Sequence, residues 1–150
     1  MTISVPNVHN LELRVPFRDV DSHGHVHNAI YLAYFEQALS EFIRHHNLAG
    51  FFGPRSTTTR YHVRKTEVVY ERPAGYDDRL GLDVCLTRLG ETSLTFACEA
   101  MMLPDRALVA RGTITWVCVR VGQDGAASIP ADCRARLSEV MTEAATAAAT

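Results

Sequence analysis

The chain has 150 residues, a net charge of −2, 47% hydrophobic and 21% charged residues, enough for one domain with a real core. The charge argues against a general nucleic-acid binder, which is normally basic. No apolar run approaches the roughly 20 residues that span a bilayer. The start, Met1 to Asn7, lacks the basic segment and apolar core of a signal peptide, so a cytoplasmic location is expected. Four widely spaced cysteines (Cys85, Cys98, Cys118, Cys133) form no Cys-x-x-Cys pair and read as reduced, buried thiols.

In chain order, residues 11–19 alternate. Leu11, Leu13, Val15 and Phe17 fall on one side and Glu12, Arg14, Pro16 and Arg18 on the other, the pattern of a half-buried strand. Asp19 and Asp21 continue the apolar parity, and the chain turns near Ser22-His23-Gly24. A helix is predicted from Ala29 to about His46, with Asn28 as N-cap. Ala29, Ile30, Tyr31, Leu32, Ala33, Tyr34 and Phe35 open it, leaving only a narrow polar stripe of Gln37, Ser40, Glu41 and Arg44. A helix apolar over most of its circumference must be wrapped by other structure. Glu36 lies off the stripe, between Ala29, Leu32 and Ile43.

Asn47 to Pro54 ends the helix. Strands follow at 61–71, 79–89, 92–102 and 107–120, read as a four-strand meander, with Leu80, Leu82, Val84 and Leu86 sharing one face and Leu94, Phe96, Cys98 and Ala100 another. A last helix is expected at 131–141, followed by a frayed Ala/Thr-rich tail. The class is α+β: a curved antiparallel sheet of about five strands around one long central helix. Its unpaired edges predict a homodimer.

The chemistry concentrates between Phe17 and Glu36. A carboxylate facing the first turn of a helix combines a base or nucleophile with backbone N–H donors, which suits hydrolysis of an activated acyl group. The residues Asp19-Val-Asp21, Gly24-His25-Val26-His27-Asn28, Tyr31 and Tyr34-Phe35-Glu36 resemble the hot-dog-fold acyl-CoA thioesterases of the 4-hydroxybenzoyl-CoA thioesterase type. That family's pattern reads Asp-x-Asp-x-x-Gly-His-Val-Asn-Asn, then Tyr and Tyr-Phe-Glu. Val69-Tyr70-Glu71-Arg72-Pro73 with Tyr76-Asp77-Asp78 resembles its second-strand exit. The likeness runs over residues 10–120. Two departures stand beside the motif: His27 replaces the first Asn of the Asn-Asn pair, and Leu39 replaces a frequent Arg.

The resemblance implies one hot-dog thioesterase domain over 1–150, with its core at about 10–120, that forms a dimer or a dimer of dimers with sites at the subunit interface. It implies Asp21 as the catalytic carboxylate and the Asn28 backbone N–H as the oxyanion donor. His25 and Glu36 are supporting candidates, His25 orienting the turn or a water and Glu36 closing the turn that carries Asp21. Asp19 reads as structural. The substrate expected is an acyl-CoA or an acyl-carrier-protein thioester, with no cofactor, metal, nucleic acid or membrane partner.

Alternatives remain for several residues. His23, His25 and His27 have metal-ligand spacing, and His45-His46 lie at the far helix end, but no nearby Cys completes a tetrahedron. Tyr31 and Tyr34 are core aromatics or line an acyl pocket, as are Phe51, Phe52 and Trp116. Glu67 is a candidate for a partner-completed site. Arg60, Arg64, Lys65, Arg72 and Arg88 are candidates for the CoA nucleotide. A hydroxyacyl-thioester dehydratase pairing His25 with Glu36, and a non-catalytic acyl-thioester-binding protein, are the competing functions.

Overall fold

A computed structural model describes residues 9–54 and 58–148, with side chains within 10–54 and 58–142. The N-terminal stretch read above for a signal peptide, and residues 149–150, lie outside the described residues. The elements are β1 (His9–Arg14), α1 (Ile30–His45), α2 (Ala49–Phe52), β2 (Thr59–Tyr70), β3 (Arg79–Leu89), β4 (Ser93–Met102), β5 (Ala107–Arg120) and α3 (Ala131–Ala148). The five strands form one antiparallel sheet in the order β1-β3-β4-β5-β2.

The expected four-strand meander therefore holds only for β3, β4 and β5. β2 lies beyond β5, with Thr59 opposite Arg120 and Tyr70 opposite Ala110. The segment after β2 is not a hairpin turn. The Glu71 and Arg72 N–H groups both donate to Val109 O, and the chain then crosses to β1, where Val15 N–H donates to Asp78 O and Asp77 N–H to Val15 O. That exchange sets β3 beside β1 instead of beside β2.

The first strand is also shorter than its alternation predicts. It stops at Arg14, and a 3-10 turn follows at Phe17–Asp19. Pro16 has no N–H for a ladder, and the turn rotates Phe17 outward until it is 78% exposed. The parity placing Phe17, Asp19 and Asp21 on the core side is lost there.

α1 packs Tyr31, Tyr34, Phe35, Ala38, Leu39 and Phe42 into the core, and each large apolar side chain buried this way contributes about 1.5–3 kcal/mol. Leu80, Leu82, Val84 and Leu86 of β3 and Leu94, Phe96, Cys98 and Ala100 of β4 meet it as expected. Phe35 reaches the sheet at Gly112, where an added Cβ would stand 3.2 Å from the Phe35 ring and 2.5 Å from Glu67 O. The helix ends on Asn47 at φ 58°, with Leu48 N–H donating to Ile43 O and Asn47 N–H to Arg44 O, a Schellman cap.

α3 runs on to Ala148, past the predicted end at 141. Alanine is the best helix former, and the Ala-rich composition carries the helix onward. Cys133, Leu137 and Val140 join the core, which therefore does not stop near residue 120. All four cysteines are buried free thiols.

Candidate functional site

The loop between β1 and α1 is wound around the carboxylate of Asp21. His23 N–H and His25 N–H both donate to Asp21 Oδ1, at 2.9 and 3.2 Å. Asp21 N–H donates to His25 O at 2.8 Å and Gly24 N–H to Asp21 O at 3.0 Å. Gly24 takes φ +79°, which closes the turn without a Cβ penalty. Oδ2 makes no hydrogen bond among the described residues. Partial burial pushes the carboxyl pKa up, but the His25 and His23 N–H bonds and the charge of both imidazoles together hold it below its usual 3.8.

Four more contacts seat this loop. Val26 N–H donates to Ala74 O at 2.8 Å, and His25 bridges Gly75. His27 N–H donates to Asp19 O at 3.0 Å, and the Asp19 carboxylate accepts from the Tyr34 hydroxyl at 2.8 Å.

Asn28 is not the N-cap. The helix opens at Ile30 with Ala29 in the cap position and no side-chain cap bond. His27 supplies the local acceptors instead, its Nδ1 taking Ala29 N–H at 3.2 Å and its carbonyl taking Ile30 N–H at 2.9 Å. The peptide between His27 and Asn28 is thereby polarised at its oxygen, while the Asn28 N–H has no partner among the described residues.

Asp21, His25 and Asn28 line one cavity of about 380 Å³ with Val26, Tyr31, Tyr70, Glu71, Arg72 and Pro73. Tyr31 is buried, and burial, above all, raises its pKa. Its ring stands edge-on to Tyr70 at 5.6 Å. The Tyr70 hydroxyl donates to Asn28 O at 2.9 Å. Both rings therefore act as walls, and Tyr70 also struts the helix entrance.

Glu36 is exposed and outside this cavity. It is not brought together with Asp21 or His25 in that cavity. The wheel position between Ala29, Leu32 and Ile43 is left uncovered, because the sheet meets the opposite side of α1.

Among the basic candidates Arg72 lines the cavity with Asp21. Glu71 beside it is turned to Arg111 at 3.5 Å. Arg64 and Arg88 are exposed, Lys65 pairs with Glu67 at 3.1 Å, and Arg60 bonds Thr59 O. Glu67 belongs to a second cavity of about 260 Å³ with Val69, Glu99, Arg111 and Thr113. Phe52 and Trp116 pack on Tyr61 and Phe96 as partly buried core aromatics. Among the described residues no group of three or more His, Cys, Asp or Glu is placed to hold a metal ion.

Sequence reading missed Tyr70 as a site residue. Its signal was the Val69-to-Pro73 block, whose meaning depends on a crossover that local pattern does not encode.

The chain is similar to known proteins in both sequence and fold. Residues 15–137 match the sequence profile of the thioesterase-like superfamily. The acyl-CoA thioester hydrolase YbgC of Escherichia coli is 32% identical over 107 residues, 71% of this chain and 78% of the relative. The acyl-CoA thioesterase YbgC of Haemophilus influenzae is 23% identical over 129 residues, 86% of this chain and 93% of the relative. In fold, a 1,4-dihydroxy-2-naphthoyl-CoA thioesterase from Synechocystis superposes with a TM-score of 0.79 at 17% identity, covering 88% of this chain and 96% of that one.

Proposed function

Because this chain belongs to the thioesterase-like superfamily, a family of hot-dog thioester hydrolases, we propose that it hydrolyses an acyl-CoA thioester using Asp21 and the Asn28 N–H. One observation carries the site assignment: a carboxylate held ionised and an unpartnered helix-entry N–H line the same cavity of about 380 Å³.

The thiolate is a good leaving group, so the site needs a nucleophile and an oxyanion donor. Asp21 Oδ1 is anchored by two N–H groups, leaving Oδ2 for chemistry. Oδ2 either attacks the thioester carbon, giving a mixed anhydride that water then opens, or removes a proton from an attacking water. Both routes place negative charge on the former carbonyl oxygen, where one aligned donor is worth about 3 kcal/mol. The Asn28 N–H meets that charge, and the departing sulfur leaves as free thiol. Tyr31 and Tyr70 wall the acyl side, and Arg72 offers a cation for the phosphates of the carrier.

β2 is a 12-residue edge strand that exposes Val63, Val69 and Tyr70. Such an edge supports a homodimer joined there. A dimer or a dimer of dimers, an acyl-carrier-protein thioester as the alternative substrate, and a cytoplasmic location complete the proposal, with the whole chain acting as one domain. No helix among the described residues is long and apolar enough to cross a membrane.

Thiol release from a panel of acyl-CoAs, with wild type beside Asp21→Asn, tests the reading. Turnover in wild type that falls at least about a hundredfold in a folded Asp21→Asn supports it. Equal turnover in both proteins removes Asp21 from the chemistry. Enoyl product without free thiol assigns the chain to dehydration.

A further inference from the structure

We propose that Tyr34 and Asp19 form a positioning pair that holds the loop bearing Asp21 and Asn28 against α1. The proposal rests on the thioesterase reading above and adds two residues that act through others.

Tyr34 lies on α1 and is 5% exposed. Its hydroxyl donates to Asp19 Oδ2 at 2.8 Å. Asp19 is outside the lining of the Asp21 cavity, so its carboxylate faces the helix and not a substrate. The same residue accepts His27 N–H on its carbonyl, one residue before Asn28. Two residues further along the chain stands Asp21. A single side-chain bond from the helix thus fixes the point from which both ends of the loop are set.

The rival partner is weak. Arg18 approaches Asp19 at 3.7 Å with its side chain 85% exposed, a geometry that contributes little. Burial, followed by the adjoining Asp19, raises the Tyr34 pKa well above its usual 10, so the phenol keeps the proton it donates. A misplacement of about 1 Å at a reacting group can cost on the order of a hundredfold in rate.

The test combines kinetics with amide hydrogen exchange on the full chain. Tyr34→Phe keeps the ring and removes only the hydroxyl. It lowers kcat by about 10- to 100-fold and leaves KM within about threefold, the signature of lost alignment. Asp19→Ala behaves alike, and the double variant is no worse than either single one, because one interaction is lost in each case. Asp19→Asn, which keeps an oxygen acceptor for Tyr34, recovers most of what Asp19→Ala loses.

Exchange at the His23, His25 and His27 amides speeds up in Tyr34→Phe, while amides of β4 stay protected. Wild-type kcat in Tyr34→Phe, or an Asp19→Asn as impaired as Asp19→Ala, overturns the pair. Unchanged exchange at the three histidine amides overturns it whatever the activity. Should wild type release no thiol from any acyl-CoA or acylated carrier protein, the thioesterase reading fails, and the exchange measurement still decides the positioning pair.

Discussion

Gly112→Ala tests the tightest backbone approach at any glycine of the chain. The new Cβ would stand 2.5 Å from the Glu67 carbonyl oxygen, 3.2 Å from Phe35 Cε2 and 3.4 Å from Val68 Cγ2. A carbon settles against a carbonyl oxygen at about 3.3 Å, so β2 must retreat by roughly 0.8 Å. The obstructing atom is backbone and cannot swing aside. Phe35 is fully buried on the other flank, so the helix cannot yield either.

Overpacking of this kind costs about 1–3 kcal/mol. The rigid neighbours argue for the upper half of that range, and the gain from replacing a strand glycine, about 0.5–1 kcal/mol, offsets part of it. The net expectation is about 2 kcal/mol, or a fall in melting temperature of about 4–8 °C for a chain of this length. Urea unfolding followed by circular dichroism, at one protein concentration, reads it as a lower midpoint with unchanged slope. Gly50→Ala is the control, since a Cβ there meets nothing within 4 Å. Equal stability of the two variants would refute the close approach of Gly112 to the Glu67 carbonyl.

Three further outcomes are expected. The Asp21 carboxyl is held below 3.8, so its share of kcat/KM stays constant from about pH 5 to 7 and is lost only as pH falls through its depressed value; an acid limb centred near pH 6 would show that another group controls it. Burial raises all four thiols, Cys85 to about 11 and Cys98 to about 12, with Cys118 and Cys133 also shifted upward. A disulfide reagent at about pH 8 should then leave the native protein nearly untouched and titrate all the thiols in denaturant, and rapid native labelling would contradict the burial. Arg106→Ala strips Asp83, whose side chain is 6% exposed, of a 2.6 Å partner and leaves Asn10 alone beside it. That change should cost about 1–3 kcal/mol in urea unfolding, and adding Asp83→Asn should recover part of the loss; strict additivity of the two would mean the pair is not coupled.

β3, β4 and β5 were readable because alternation and tight turns are local, and Leu80 to Leu86 or Leu94 to Ala100 state their buried face outright. β2 has equally clear strand composition, but composition does not name a neighbour, and its place beside β5 depends on hydrogen bonds from Glu71 and Arg72 to a residue far along the chain. The break at Pro16 was visible as a proline and was read through as part of the alternation. In the site, Asp21, His25 and Asn28 stood out because their spacing is local to one loop. Glu36 was harder: a helical wheel shows which residues share a side, not which side the sheet covers. Tyr70 reaches Asn28 across 42 residues, and nothing in either neighbourhood announces the other.

The strand order also sets a sequence of events during synthesis. β2 leaves the ribosome long before β5, its one neighbour in the sheet among the described residues, so residues 59–70 emerge with no strand to pair with. β3, β4 and β5 close through short connections, and β1 has β3 as its template. Non-local pairing bears the larger loop-closure cost. The hairpins of the β-meander are therefore the least costly pairings to close, and β2, the strand that carries Tyr70 to the mouth of the site, has no surface to dock on until β5 emerges. A nascent chain halted before Ala107 would hold the Asp21 motif and the whole of α1, yet lack the β5 surface on which its outermost strand must be laid.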